Sequence, residues 1–104
     1  MSVYRLARQA DDDLDEIAEY LREVSPDAAD RVLDALRDTF VTLARNPQMG
    51  QSRSDLRPGL HVFPGGRPAH NYVICYYPLP DGIAVATVVH ARRDWVGLFE
   101  RGER

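Results

Sequence analysis

The sequence predicts an α+β fold, with an N-terminal strand and an antiparallel helical hairpin packed on a small antiparallel β-sheet. Three observations lead to it. Apolar residues recur at helical spacing from Leu14 to Ala44, the mark of amphipathic helices. From Gln51 onward the period changes to the alternating, β-branched pattern of strands. The segments between those strands are hairpin-length and rich in Pro and Gly, so helices and strands are segregated along the chain.

Val3-Tyr4-Arg5-Leu6 alternates apolar and polar residues and reads as a short strand. Asp11, Asp12 and Asp13 mark a helix start, where negative charge complements the helix dipole, and Leu14, Ile17, Ala18 and Leu21 form its apolar face. At Ser25-Pro26 the serine can cap a new helix and the proline suits its first position. That second helix is expected from Pro26 to Arg45, with Ala29, Val32, Leu33, Leu36, Phe40, Leu43 and Ala44 facing the core, and Asn46-Pro47 ends it. So short a link makes the two helices an antiparallel hairpin. Strands are expected at Leu60–Phe63, Tyr72–Tyr77 and Ile83–His90, separated by Pro64–Pro68 and by a turn at Pro78–Gly82. Ile83–His90 is apolar on both faces, as a central strand is. The hairpin covers one face of the sheet, and the other is expected to be open to solvent or a partner.

At 104 residues the chain has room for one domain, residues 1–104, with a core over about 3–99 and a frayed tail at 100–104. No apolar run approaches the roughly 18 residues of a membrane span. The lone Cys75 excludes an internal disulfide and agrees with a cytoplasmic protein. The net charge of −3 is unevenly spread: residues 1–50 carry six arginines against eleven acidic residues, and residues 51–104 seven against five. This asymmetry fits either two solvated acidic helices or two faces with different partners. There is no lysine, so none serves as base, Schiff-base former or phosphate anchor.

No Gly-rich loop joins a strand to a helix, so no nucleotide cofactor is indicated, and no cofactor of any kind is expected. Asp12, Glu16 and Glu19 share a helix face, where solvation is the plain reading. His61 and Cys75 can meet across neighbouring strands, but nothing in their spacing imitates a zinc site, and no metal is expected. What remains is a cluster of cations at the polar edges of the sheet. Arg53, Arg57, His61, Arg67 and His70 flank the earlier strands, and His90, Arg92 and Arg93 close the last one. Arg and His together can grip phosphate, and Tyr72 can stack on a base or move a proton. The competing reading pairs these arginines with Asp55, Asp81, Asp94 and the helix acids.

Four stretches of the chain resemble the ParE branch of the ParE/RelE toxins of bacterial type II toxin–antitoxin systems. They are Tyr4-Arg5-Leu6 with Ala10, Asp13-Leu14, Glu16-Ile17 and Tyr20-Leu21; Phe40, Leu43-Ala44 and Asn46-Pro47 with Gly50; Leu56-Arg57-Pro58-Gly59-Leu60 with Phe63-Pro64, Tyr72-Val73-Ile74 and Tyr76; and Val88–Asp94 with Leu98-Phe99. The resemblance spans about residues 4–99 and implies the fold derived above. It implies a toxin that poisons DNA gyrase without being an enzyme and is neutralised by a ParD-like antitoxin, the complex reaching operator DNA only through the antitoxin. The RelE-like branch instead cleaves mRNA on the ribosome with a basic site containing lysines, which this chain lacks. The connection from Gly65 to Asn71, carrying Arg67 and His70, is longer than the family pattern.

On this reading the target-binding candidates are Arg57, Arg67, His90, Arg92, Arg93 and Trp95, the arginines giving charge-assisted hydrogen bonds and the tryptophan an apolar anchor. The antitoxin-binding candidates are Leu14, Ile17, Leu21, Leu36, Phe40, Leu98 and Phe99, an apolar surface that a segment folding on binding would cover. A ribosome-dependent mRNA endonuclease is the alternative, with Arg57, Arg67, Tyr72, His90 and Arg92 as phosphate clamp and proton-transfer groups. A third possibility is an inactive toxin that serves only as antitoxin partner and co-repressor.

Overall fold

The computed structural model describes residues 2–104. Its elements are β1 (Val3–Leu6), α1 (Arg8–Val24), α2 (Pro26–Arg45), β2 (Gln51–Ser52), β3 (His61–Pro64), β4 (Tyr72–Leu79), β5 (Gly82–His90) and α3 (Trp95–Glu100). The architecture is α+β, as the sequence predicts. The sheet has five strands in the order β1-β5-β4-β3-β2 and is mixed rather than purely antiparallel, because β1 runs parallel to β5. A four-residue strand leading into a helix carries no pairing signal, whereas the turns fix the antiparallel neighbours β3, β4 and β5.

α1 begins at Arg8, before the aspartates that seemed to open it, and has no side-chain cap at Ala7. Its first turn is held instead by tertiary pairing, since the Ala7 N–H continues the β1 ladder to the Val85 carbonyl at 2.9 Å. At the hairpin the expected chemistry is present: Ser25 Oγ accepts from the Ala28 N–H at 3.3 Å, and Pro26 opens α2. β4 runs on through Pro78 and Leu79, residues assigned to a turn from sequence, so only Pro80 and Asp81 separate it from Gly82. Gly82 has φ +153°, and a Cβ there would lie 1.7 Å from the Val3 carbonyl oxygen. Glycine is required where β1 approaches the turn this closely.

The sheet is buried on both faces. On one side α1 and α2 pack Leu14, Ile17, Leu36 and Phe40 against Ile74, Tyr76, Ile83 and Val85. On the other, Leu60, Val62, Cys75 and Val89 are covered by Leu98 and Phe99 of α3, with Leu56 and Trp95 at the margin. The second face is therefore closed, where an open one was expected. A short α3 and the loop before β3 close it.

Residues 100–104 also depart from the frayed tail expected of them. Gly102, at φ +73°, ends α3 in a left-handed turn. The Gly102 N–H bonds the Phe99 carbonyl and the Glu103 N–H bonds that of Leu98, which are the two bonds of a Schellman cap. This brings Arg104 back to 3.5 Å from the carboxylate of Asp13.

Candidate functional site

A cleft of about 440 Å³ opens between α1 and the ends of β4 and β5. Ile17, Leu21, Val32, Val88 and Val89 form its apolar lining, and Tyr20, Tyr72, Asn71, Glu16, His90 and Arg93 supply polar groups. The register Tyr72↔His90 places these two side chains together, their rings edge to face with centroids 5.3 Å apart. His90 Nδ1 accepts the Arg92 N–H at 3.1 Å, which assigns the ring proton to Nε2 in the neutral tautomer. Burial, and secondly the Tyr20 phenol, push the Tyr72 hydroxyl above its ordinary pKa. Tyr72 is thus a donor at neutral pH and not a phenolate base. Arg93 is exposed and has no ion-pair partner among the described residues.

The loop from Gly65 to Asn71 forms one wall of this cleft through Pro68 and Asn71. It is tied down rather than loose. Ala69 is fully buried, the Gly66 N–H donates to Thr39 Oγ1 of α2 at 2.9 Å, and the Ala91 N–H donates to the Asn71 carbonyl at 2.7 Å.

The candidate cations do not form one cluster. His90 and Arg93 share the cleft, and Arg92 is exposed on the turn after β5. Arg67 lies elsewhere, over α2 in a second cleft with Asp38, Thr39 and Thr42. Arg57 belongs to the far side of the sheet, where its guanidinium stands 5.7 Å from the Phe99 ring centroid. Trp95 is on that side as well, under Arg53 at 5.3 Å, and Arg53 is held by Asp55 through two 3.0 Å bonds. Of the nuclease candidates, Tyr72 and Arg92 each contact His90, the latter through its backbone N–H, while Arg57 and Arg67 lie apart from them. His61 and Cys75 fall on opposite faces, since His61 pairs with Tyr76 and Val62 with Cys75.

The apolar residues assigned to antitoxin contact are largely consumed by the chain's own cores. Leu36 and Phe40 are fully buried, Leu14 and Ile17 nearly so, and Leu98 and Phe99 seal the far face of the sheet. A complete apolar stripe is what a helix needs to pack on its own sheet, so it was a poor sign of a free surface. Ile17 and the half-buried Leu21 still reach the cleft.

Asp13, Asn71 and Tyr20 line the cleft and are not among the site residues expected from the sequence. Asp13 had a signal: it lies four residues before Ile17 and eight before Leu21, on the apolar stripe where a carboxylate is out of place. Cys75 is buried, and that burial is the main reason its thiol pKa is pushed up to about 12; the Asp13 charge adds to it, and Arg53 opposes it. Such a thiol is inert as a nucleophile.

Residues 4–95 match the family described as the ParE toxin of the type II toxin–antitoxin system parDE. The chain is 31% identical over 91 residues to Toxin RelE3 of Caulobacter vibrioides, a match covering 88% of this chain and 96% of that protein. Its fold is similar to a solved chain of the chromosomal ParDE system from P. aeruginosa, with a TM-score of 0.69 and 19% identity, covering 86% of this chain and 96% of the other.

Proposed function

The chain belongs to the ParE toxin family of type II toxin–antitoxin systems, and from that premise we propose that it is a non-enzymatic inhibitor of DNA gyrase, neutralised by a ParD-like antitoxin. The observation that supports the non-enzymatic reading is the dispersal of its cations. Phosphodiester cleavage needs a phosphate clamp and proton-transfer groups converging on one point. Arg57 and Arg67 lie on different surfaces from Tyr72 and His90, and the tyrosine keeps its proton. The exposed Arg92 and Arg93, beside His90, make the strongest cationic surface for a protein target. We assign gyrase contact to this patch, and operator binding to the antitoxin within the complex.

One observation favours the endonuclease reading: Tyr72, His90 and Arg93 do share one cleft. The two readings part on induced expression without antitoxin. A gyrase inhibitor produces filamentous growth and a DNA-damage response with transcripts intact. An endonuclease produces ribosome-dependent transcript cleavage with undamaged DNA. Normal growth contradicts both and leaves the inactive co-repressor.

A further inference from the structure

The tail after α3 touches both supports of the cationic turn. That turn, residues 91–94, carries Arg92 and Arg93 and hangs from His90. The Arg93 N–H donates to the His90 carbonyl at 2.9 Å, and the Arg92 N–H to His90 Nδ1 at 3.1 Å. Upstream, β5 is pinned two residues before His90, where the Val88 N–H donates to the Asp13 carboxylate at 3.0 Å. Downstream, Asp94 caps α3 by accepting the Gly97 N–H at 3.0 Å. Arg101 reaches that aspartate, Nη1 to Oδ2 at 3.5 Å, and Arg104 Nη2 reaches Asp13 Oδ1, also at 3.5 Å. Residues 101–104 thus cross from α3 on one face of the sheet to α1 on the other, beside the part of β5 that β1 leaves unpaired. Arg57 holds them there, its Nη2 donating to the main-chain oxygen of Arg104 at 3.4 Å.

Arg104 is a poor device for stability. Its side chain is 13% exposed, yet Nε has no hydrogen-bond partner among the described residues, and Nη1 finds the carbonyl of its neighbour Glu103 at 3.3 Å. Burying a charge so incompletely matched costs free energy that an ion-pair contact at 3.5 Å does not return. Asp13, for its part, already accepts from Gln9, Thr87 and the Val88 N–H, so it does not depend on the arginine for partners. What the guanidinium adds is position. It draws on Asp13 Oδ1 while the other carboxylate oxygen holds Val88. Resting on the target surface proposed above, we propose that Arg104 is a positioning residue. Through Asp13 and Val88 it fixes the end of β5, and together with Arg101 on Asp94 it holds Arg92 and Arg93 in the orientation that meets the target.

The test compares the wild type with R104M, R104K and Y76F. Methionine keeps the packing and removes the charge, lysine keeps the charge, and Y76F weakens the fold at the link from α2 to β2. R104M is expected to melt within about 4 °C of the wild type. Its amide exchange at Val88, Arg92 and Arg93 is expected to speed up at least about tenfold, with Gly50 unchanged. The concentration of R104M that half-inhibits gyrase is expected to rise at least about tenfold, and R104K to recover most of that loss. Y76F, although less stable, is expected to stay within about twofold of the wild type. Unchanged exchange at Val88, Arg92 and Arg93 in R104M overturns the proposal, and so does unchanged inhibition. Equal losses in R104M and Y76F, or a far lower melting temperature in R104M, leave the arginine a structural role alone and overturn it too. A wild-type chain that leaves gyrase untouched overturns the target reading, and growth arrest on induction then takes the place of gyrase inhibition in the same comparison.

Discussion

The Asp13 carboxylate accepts a hydrogen bond from the backbone N–H of Val88 at 3.0 Å, joining α1 to the last strand of the sheet. The contact completes a ladder that β1 leaves unfinished. β1 pairs with β5 only from Gly82 to Val85, and the next edge donor would otherwise be buried without an acceptor. The same carboxylate accepts from the Thr87 hydroxyl and, at 2.8 Å, from Gln9 Nε2, while Arg104 lies 3.5 Å away. One aspartate thus fixes the α1 side of the cleft to the β5 side.

Asp13→Ala is therefore expected to cost about 3–5 kcal/mol, because it strands a buried N–H, a hydroxyl and the Arg104 guanidinium together. Urea denaturation measures it. A loss below about 1 kcal/mol, the range of ordinary surface substitutions, would show that the carboxylate does not hold these elements.

Tyr76 performs a similar task at the other end of the hairpin. Its hydroxyl donates to the Pro47 carbonyl at 2.8 Å and accepts the Gly50 N–H at 2.9 Å, fixing the link from α2 to β2. Tyr76→Phe keeps the ring and leaves both backbone groups unmatched. We expect a loss of about 1–3 kcal/mol in the same denaturation assay, with faster amide exchange at Gly50.

Cys75 gives a pH signature. A thiol held protonated to about 12 in the folded chain, against 9.0 for a free thiol, means that the unfolded chain binds fewer protons between those values. Its contribution to stability is full below pH 9.0 and declines as pH rises toward 12. Tyr72 and Tyr76, also raised by burial, add a decline in the same direction above 10.0. Urea midpoints at pH 8 and pH 10.5 are expected to separate more for the wild type than for Cys75→Ala. Iodoacetamide is expected to leave native Cys75 unlabelled and to label it once urea is added.

Changing Arg92 and Arg93 together to Ala is expected to abolish growth arrest and preserve binding of the antitoxin, as both side chains are exposed and make no ion pair among the described residues. Growth curves after induction and co-purification with the antitoxin check the two halves separately. Retained arrest in the double variant would remove these residues from the target surface.

Much of the fold was legible because the signals are local. The Ser25-Pro26 junction, the apolar stripe of α2 and the apolar run of β5 each state their structure within a few residues. The misreadings have two physical causes, long-range pairing and elements too short to show a period. β1 lies parallel to a strand near the far end of the chain, β2 has only two residues, and α3 is a six-residue helix whose Gly97 depressed the helical pattern. The site was harder still. Tyr72 and His90 meet only through register, Tyr20 joins them from α1, and Arg57 leaves them for the opposite face. No spacing along a single segment encodes those meetings. Asp13 is the exception, a charged residue on an apolar stripe, a position that signals a buried partner although the aspartate run reads as a helix start.

Gyrase and the ribosome are separated as targets by adding the purified chain to gyrase, supercoiled plasmid and ATP, alongside translating ribosomes programmed with a defined mRNA. A gyrase inhibitor gives loss of supercoiling with accumulation of cleaved DNA, relieved by antitoxin and absent in R92A/R93A, and an mRNA that stays whole. Untouched gyrase activity together with cleavage of the ribosome-bound message would contradict gyrase as the target.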